Sequence, residues 1–208
     1  MSKNILKERG FTLNNIELIK NKLREMLDEE RYIHSIGVMD CSLKLADFYK
    51  YSPEKAFLAG LLHDCAKCLP EHELLKNAIN SGIVIDNVML NQKELLHGPA
   101  GKYIANKFFD INDEEILNAI AFHTTGRPEM GILEKIIYLA DIIEPNRNFE
   151  GVDYLRKCAF ENLDLAVIKA MDSTLRYVLD LNGLIHPLTI LARNHLIISL
   201  NNEWERKK

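Results

Sequence analysis

The chain has 208 residues, 47% of them hydrophobic, and a formal net charge of -4. That length and composition suit one globular domain with a substantial core. The mildly acidic balance argues against a protein that grips nucleic acid through its phosphates, and no run of about eighteen apolar residues offers a membrane span.

Helical periodicity then runs through nearly the whole sequence. Ile16, Ile19, Leu23 and Leu27 mark a first helix over 14–27, and a second is expected over 29–49. Ser52 and Pro53 form a cap and first-turn proline for a third, which continues through Phe57, Leu61 and Leu62 towards Lys67 until Pro70 stops it. Further helices fit 71–80, about 93–109 and 113–123. Asp113, Glu114 and Glu115 favour the start of the last of these through the helix dipole. A helix over 132–143 ends before Pro145, a long one over 152–181 is closed by Gly183, and a final one covers about 188–204. Only 82–88 reads as extended. No repeat or linker divides the chain, so the expectation is a single all-α domain over 1–208. Lys3, Lys7, Glu8 and Arg9 near the start lack a following apolar run, which does not read as a signal peptide and makes the cytoplasm the expected compartment.

Ionisable residues interrupt the apolar runs in a repeated way. His34 shares a stripe with Val38, Cys41, Leu45 and Phe48, at helical spacings. His63 and Asp64 close the run 58–62, with Lys67 three positions beyond Asp64. Asp141 lies inside Ile136-Ile137-Tyr138-Leu139-Ala140-Asp141-Ile142-Ile143, where a buried carboxylate needs a cation that the run itself does not offer. His97 follows Leu95-Leu96, and His123 follows Ala119-Ile120-Ala121-Phe122. Each has a bland reading: a core histidine, an Asp64–Lys67 salt bridge, a helix cap. Together, five of the seven histidines and two aspartates repeat one conflict between polarity and burial, which gathers at functional sites. Imidazole with carboxylate suits iron, manganese or zinc. His72 reads as solvated and His195 as structural, while His186 sits in a loop whose role stays open. Cys65 and Cys68 form one CxxC without a second pair, so free thiols are expected rather than zinc or redox chemistry.

With His34, adjacent His63-Asp64 and distant Asp141 in that order, and His63-Asp64-Cys65-Ala66-Lys67 in HDxxK form, the chain resembles the HD-domain superfamily. His97-Gly98-Pro99, His123-Thr124-Thr125-Gly126 and Ala140-Asp141-Ile142-Ile143-Glu144-Pro145-Asn146-Arg147 narrow the resemblance to the bacterial YqeK family, over roughly 30–189. The resemblance implies an HD-domain helical bundle, with a core of about 30–150 and C-terminal helices over 151–208 completing the site. It implies a cytoplasmic hydrolase that cleaves diadenosine tetraphosphate symmetrically into two ADP with iron, manganese or cobalt being alternatives. His34, His63, Asp64 and Asp141 would then hold the principal metal. His97 and His123 would lie by the phosphates or hold a second ion. Arg31, Lys67, Thr124, Arg147 and the loop Leu184, Ile185, His186, Pro187, Leu188 and Thr189 would line the nucleotide site.

In that reading Asp64, Lys67, His97 and His123 carry the chemistry, with Asp64 also placed to take the proton of water. Thr125 to Arg127 is expected as a mobile turn at the mouth, framed by Gly126 and Pro128. A homodimer is a reasonable assembly, with no nucleic-acid or membrane partner. The alternatives are an HD phosphohydrolase for another nucleotide and a nucleotide sensor without turnover. A thiol-redox protein resting on Cys65 and Cys68 is the weakest, since such folds alternate strands with helices.

Overall fold

The computed structural model describes residues 13–206, and among these every regular element is helical. In chain order they are α1 (Leu13–Met26), α2 (Glu29–Phe48), α3 (Pro53–Leu62), α4 (Glu71–Asn80), α5 (Asn87–Asn91), a 3-10 turn (Lys93–Leu96), α6 (His97–Phe109), α7 (Glu114–Phe122), α8 (Ile132–Ile143), α9 (Val152–Cys158), α10 (Leu163–Asp180) and α11 (Pro187–Arg206).

Local chemistry sets these boundaries. Asp28 caps α2 by accepting from the Arg31 amide at 2.8 Å, with Glu29 and Glu30 in the first turn. Ser52 caps α3 ahead of Pro53, and Asp113 caps α7 by accepting from the Glu115 and Ile116 amides. At the start of α8 the Glu134 carboxylate accepts from the Gly131 amide at 2.9 Å.

Three expectations are corrected. The third helix stops at Leu62 rather than near Lys67, because 63–68 leave the helix as successive turns. The expected helix over 152–181 is two helices, with Asn162 capping the second by accepting from the Leu165 amide. Residues 82–88 are extended only in part, since Asp86 caps the short helix α5.

The core is built where α2 packs on α3 and α8, and where α7 packs on α3, α6 and α8. Leu45, Leu61, Leu62, Ile120, Ile136, Ile137 and Leu139 are fully buried there. α4 covers α6, and α10 lies against α8 with α11 upon it. Glycine lets two pairs of these helices come close. A Cβ on Gly60 of α3 would strike Ser42 Oγ of α2, and one on Gly98 of α6 would lie 2.5 Å from the Ala121 carbonyl oxygen of α7. Both crossings carry a histidine of the polar cluster within three residues.

Candidate metal centre

The helix ends decide how the histidines point. His63 and His123 follow the last residues of α3 and α7, where backbone carbonyls lack an intrahelical partner. Each ring turns back and donates its Nδ1–H to the carbonyl three residues earlier, Gly60 and Ile120, at 2.8 Å in both cases. A carbonyl only accepts, so Nδ1 carries the proton and Nε2 presents a lone pair inwards. His97, first residue of α6, has Nδ1 against the Glu94 carbonyl and 3.2 Å from Lys67 Nζ. His34 sits inside α2, where the carbonyls behind it serve the helix ladder. Its Nδ1 instead lies 3.2 Å from Oε1 of Glu144.

Four imidazoles therefore meet Asp64, two of them also Asp141, with acceptors facing acceptors. His34 Nε2 is 3.0 Å from Asp141 Oδ1, 3.3 Å from His63 Nε2 and 3.9 Å from Asp64 Oδ2. His63 Nε2 is 3.6 Å from Asp64 Oδ2 and 3.9 Å from Asp141 Oδ1. On the other side of Asp64, Oδ1 lies 3.1 Å from His97 Nε2 and 3.6 Å from His123 Nε2, and those two nitrogens are 2.9 Å apart. Two groups of three meet the spacing of a metal site: His34, His63 and Asp141, and His63, Asp64 and His123. His63 belongs to both.

Lone pairs of neutral imidazoles repel one another and the carboxylates, so a cation between them is what this donor set lacks. Ligands at right angles on an ion about 2.1 Å away lie roughly 3 Å apart, the spacing of the shortest pairs here. The residues fit a divalent ion.

The electrostatics agree in direction. Burial alone would raise the carboxyl of Asp64, but the charge of His63 and the bonds with His123 and His97 hold it well below the usual carboxylate range. Burial is likewise overcome at Asp141, by the His34 bond and the charges of His63 and Arg147. Burial wins at His63, whose imidazole is pushed down to about 4, and it lowers His97 and Lys67 as well. At His34 it is outweighed by the bond and charge of Asp141, and the pKa rises.

Two arginines border the cluster on one side. Arg31 NH1 approaches Asp64 Oδ2 at 3.5 Å, while Arg147 donates from NH2 to Asp141 Oδ1 at 2.6 Å and from Nε to the Asp141 carbonyl at 2.9 Å. They line an open cleft of about 400 Å³ together with Glu30, Ile33, His34, Glu144 and Asn146. Arg156 of α9 fastens the far wall by donating to the carbonyls of Ile143, Glu144 and Arg147.

Of the residues singled out in the sequence, His34, His63, Asp64, Lys67, His97, His123, Asp141, Arg31 and Arg147 are brought together. Thr124 Oγ1 is buried beside His123 with no partner among the described residues. The loop 184–189 makes its polar contacts elsewhere. His186 is buried, accepts from the Leu188 amide at Nδ1, and has Nε2 3.2 Å from Asp86 Oδ2, out of line for a hydrogen bond.

The turn 125–127 is tied down rather than loose. Arg127 pairs with Glu134 at 2.6 and 3.0 Å, and Gly126, at φ +65°, leaves no room for a Cβ beside Met171. Sequence reasoning missed Glu144, which is 1% exposed. The available signal was its place three residues after Asp141, on the same helix face, next to Pro145.

Comparison with known proteins places this geometry. The HD domain family model matches residues 31–146. The symmetrical bis(5'-nucleosyl)-tetraphosphatase of Halalkalibacterium halodurans is 42% identical over 172 residues, covering 83% of this chain and 91% of that protein. Its counterpart in Bacillus subtilis is 39% identical over 175 residues, covering 84% and 94%. A crystal structure from Clostridium acetobutylicum, described as an HD superfamily hydrolase involved in NAD metabolism, matches with a TM-score of 0.85 at 48% identity, covering 88% of this chain and 97% of the other. The chain belongs to the HD-domain family, among its YqeK-type members.

Proposed function

We propose that this protein is a metal-dependent enzyme that hydrolyses diadenosine tetraphosphate symmetrically, giving two ADP. The observation that carries the reading is the convergence of neutral imidazole nitrogens and low-pKa carboxylates beside a cleft bordered by Arg31 and Arg147. The relatives of known name act on this class of substrate and are similar along nearly their whole length.

His34, His63, Asp64 and Asp141 hold the principal ion, and His97 and His123 face Asp64 where a second would sit. A divalent cation supplies Lewis acidity, acidifying water and polarising a phosphoryl oxygen. Arg147 and Arg31 take the charge of the inner phosphates from the cleft side, Arg147 with a fork suited to two oxygens at once. Lys67, His97 and His123 face the oxygens that gain charge as the central bridge opens. Water contributes its oxygen to one inner phosphorus, the bond from that same phosphorus to the bridging oxygen breaks, and the bridging oxygen leaves with the other half, so that two ADP form and two protons pass to solvent. The depressed pKa of Asp64 suits holding charge better than abstracting a proton.

Iron is the metal we propose, on the resemblance and on a donor set that also accepts manganese or cobalt. Thr124 and the loop 184–189 are assigned to the nucleoside ends. The helices α9–α11 complete the site from the C-terminal side, Arg156 tying down the segment that bears Glu144 and Arg147. No helix among the described residues is long and apolar enough to cross a membrane, which is consistent with the cytoplasmic residence proposed here. A homodimer remains the proposed assembly, to be read by sedimentation equilibrium.

The test is anaerobic purification, metal analysis and incubation with diadenosine tetraphosphate, followed by chromatography. ADP as sole product, lost in Asp64→Ala, supports the reading. ATP with AMP would overturn symmetrical cleavage, and a protein that binds no divalent metal would overturn the centre itself.

A further inference from the structure

Glu144 is assigned no role by the HD pattern or by the metal groupings, yet it is one of the most buried carboxylates among the described residues. At 1% exposure, such a charge costs several kcal/mol unless it is matched. Its two oxygens are both used. Oε1 meets His34 Nδ1 at 3.2 Å, and Oε2 accepts from the Asn146 amide at 2.7 Å. Space for it is made by Gly37, one turn beyond His34 on α2, where a Cβ would collide with Oε2. The carboxylate is thus clamped between its own backbone turn and a glycine, with the imidazole of His34 as its outlet.

His34 differs from the other histidines for a reason of position. His63 and His123 stand at helix C-termini and find free carbonyls for Nδ1, and His97 finds the Glu94 carbonyl at the 3-10 junction. A mid-helix histidine has no such carbonyl. A carboxylate in its place fixes the tautomer and the ring orientation, and it leaves more electron density at Nε2 than a neutral carbonyl does.

We propose that Glu144 is a positioning residue of the metal centre, which holds His34 with Nε2 aimed at Asp141 and His63 and makes that nitrogen the strongest imidazole donor of the cluster. The proposal rests on the reading that His34 is a metal ligand.

The experiment is titration of metal-stripped, full-length protein with Mn²⁺, with free Mn²⁺ read by electron paramagnetic resonance. It compares wild type, Glu144→Gln, His34→Ala and the double variant, and records the melting temperature of each metal-free protein. Glu144→Gln keeps the size of the side chain and an acceptor for the Asn146 amide. It is expected to weaken Mn²⁺ binding about 10–100-fold without lowering the melting temperature, and Glu144→Asp to recover part of the loss. Added to His34→Ala, it is expected to cause no further loss, because it acts through His34. Wild-type affinity in Glu144→Gln, additive losses in the double variant, or a weakening matched by a lower melting temperature would each overturn the role of Glu144. Wild-type affinity in His34→Ala would instead overturn the ligand assignment beneath it.

Discussion

Asp64 divides the cluster into two sides with the same chemistry and different access. On one, His34 and Asp141 meet Arg31 and Arg147, whose side chains are 35% and 39% exposed along the open cleft. On the other, His97 and His123 are 5% and 1% exposed, and the nearby cation is the half-buried Lys67. An ion on the first side can share a polyphosphate with two guanidiniums. One on the second would be enclosed by α6 and α7 and is expected to exchange more slowly. Identical ligand types thus divide into an open half and a sealed half because α2 and α8 end at a cleft, whereas α6 and α7 pack against each other.

Both sides depend on His63, the residue common to the two metal groupings. His63→Ala is expected to abolish turnover and empty both sides, read by metal analysis and product chromatography. Next is the open side alone: Arg147→Ala is expected to cut kcat/KM about 100-fold, as loss of a charge-stabilising donor does elsewhere. Lys in its place recovers only part of that, since it lacks the planar fork. Lys67→Ala, on the sealed side, should leave KM nearer the wild-type value.

Gly98→Ala probes the sealed half without touching a ligand. The new methyl would press on the Ala121 carbonyl and push α6 from α7, parting His97 from His123. Overpacking of this kind costs about 1–3 kcal/mol, visible as a lower melting temperature.

The pH dependence sharpens the contrast. Burial pushes His63 down to about 4 from 6.5, so its share of stability is present above pH 6.5 and is lost as pH falls towards 4, by about 3 kcal/mol. His97 acts in the same direction. His34, whose pKa is raised, contributes stability that is full below 6.5 and lost as pH rises through its folded pKa. Denaturant midpoints of metal-stripped protein between pH 4 and 7 should fall with acid, and His63→Gln should flatten that slope.

Much of this was visible in the residues because polarity clashed with burial there. The run 136–143 left Asp141 no interpretation without a cation, and the boundaries of α4 and α8 follow directly from proline and caps. What stayed hidden has physical causes. No glycine or proline marks 159–162, so the apolar period ran on and concealed the break before Asn162. The end of α3 at Leu62 serves the cluster: His63 and Asp64 leave the helix, and no local preference of Cys65-Ala66-Lys67 announces it. Glu144 reads as a charged helix end. Its contact with His34, 110 positions away, ties it to the cluster.

The turning back of His63 and His123 onto the last carbonyls of α3 and α7 has a further effect. Those carbonyls mark the negative ends of two helix dipoles, each worth roughly half a unit charge, which lie beside the same small volume. Together with Asp64, Asp141 and Glu144, they offset the positive charge that Arg31, Arg147 and Lys67 bring to the cluster. A divalent ion held here would tip that balance in favour of a polyphosphate. Substrate affinity should therefore fall steeply on chelation, with Arg31 and Arg147 holding what remains.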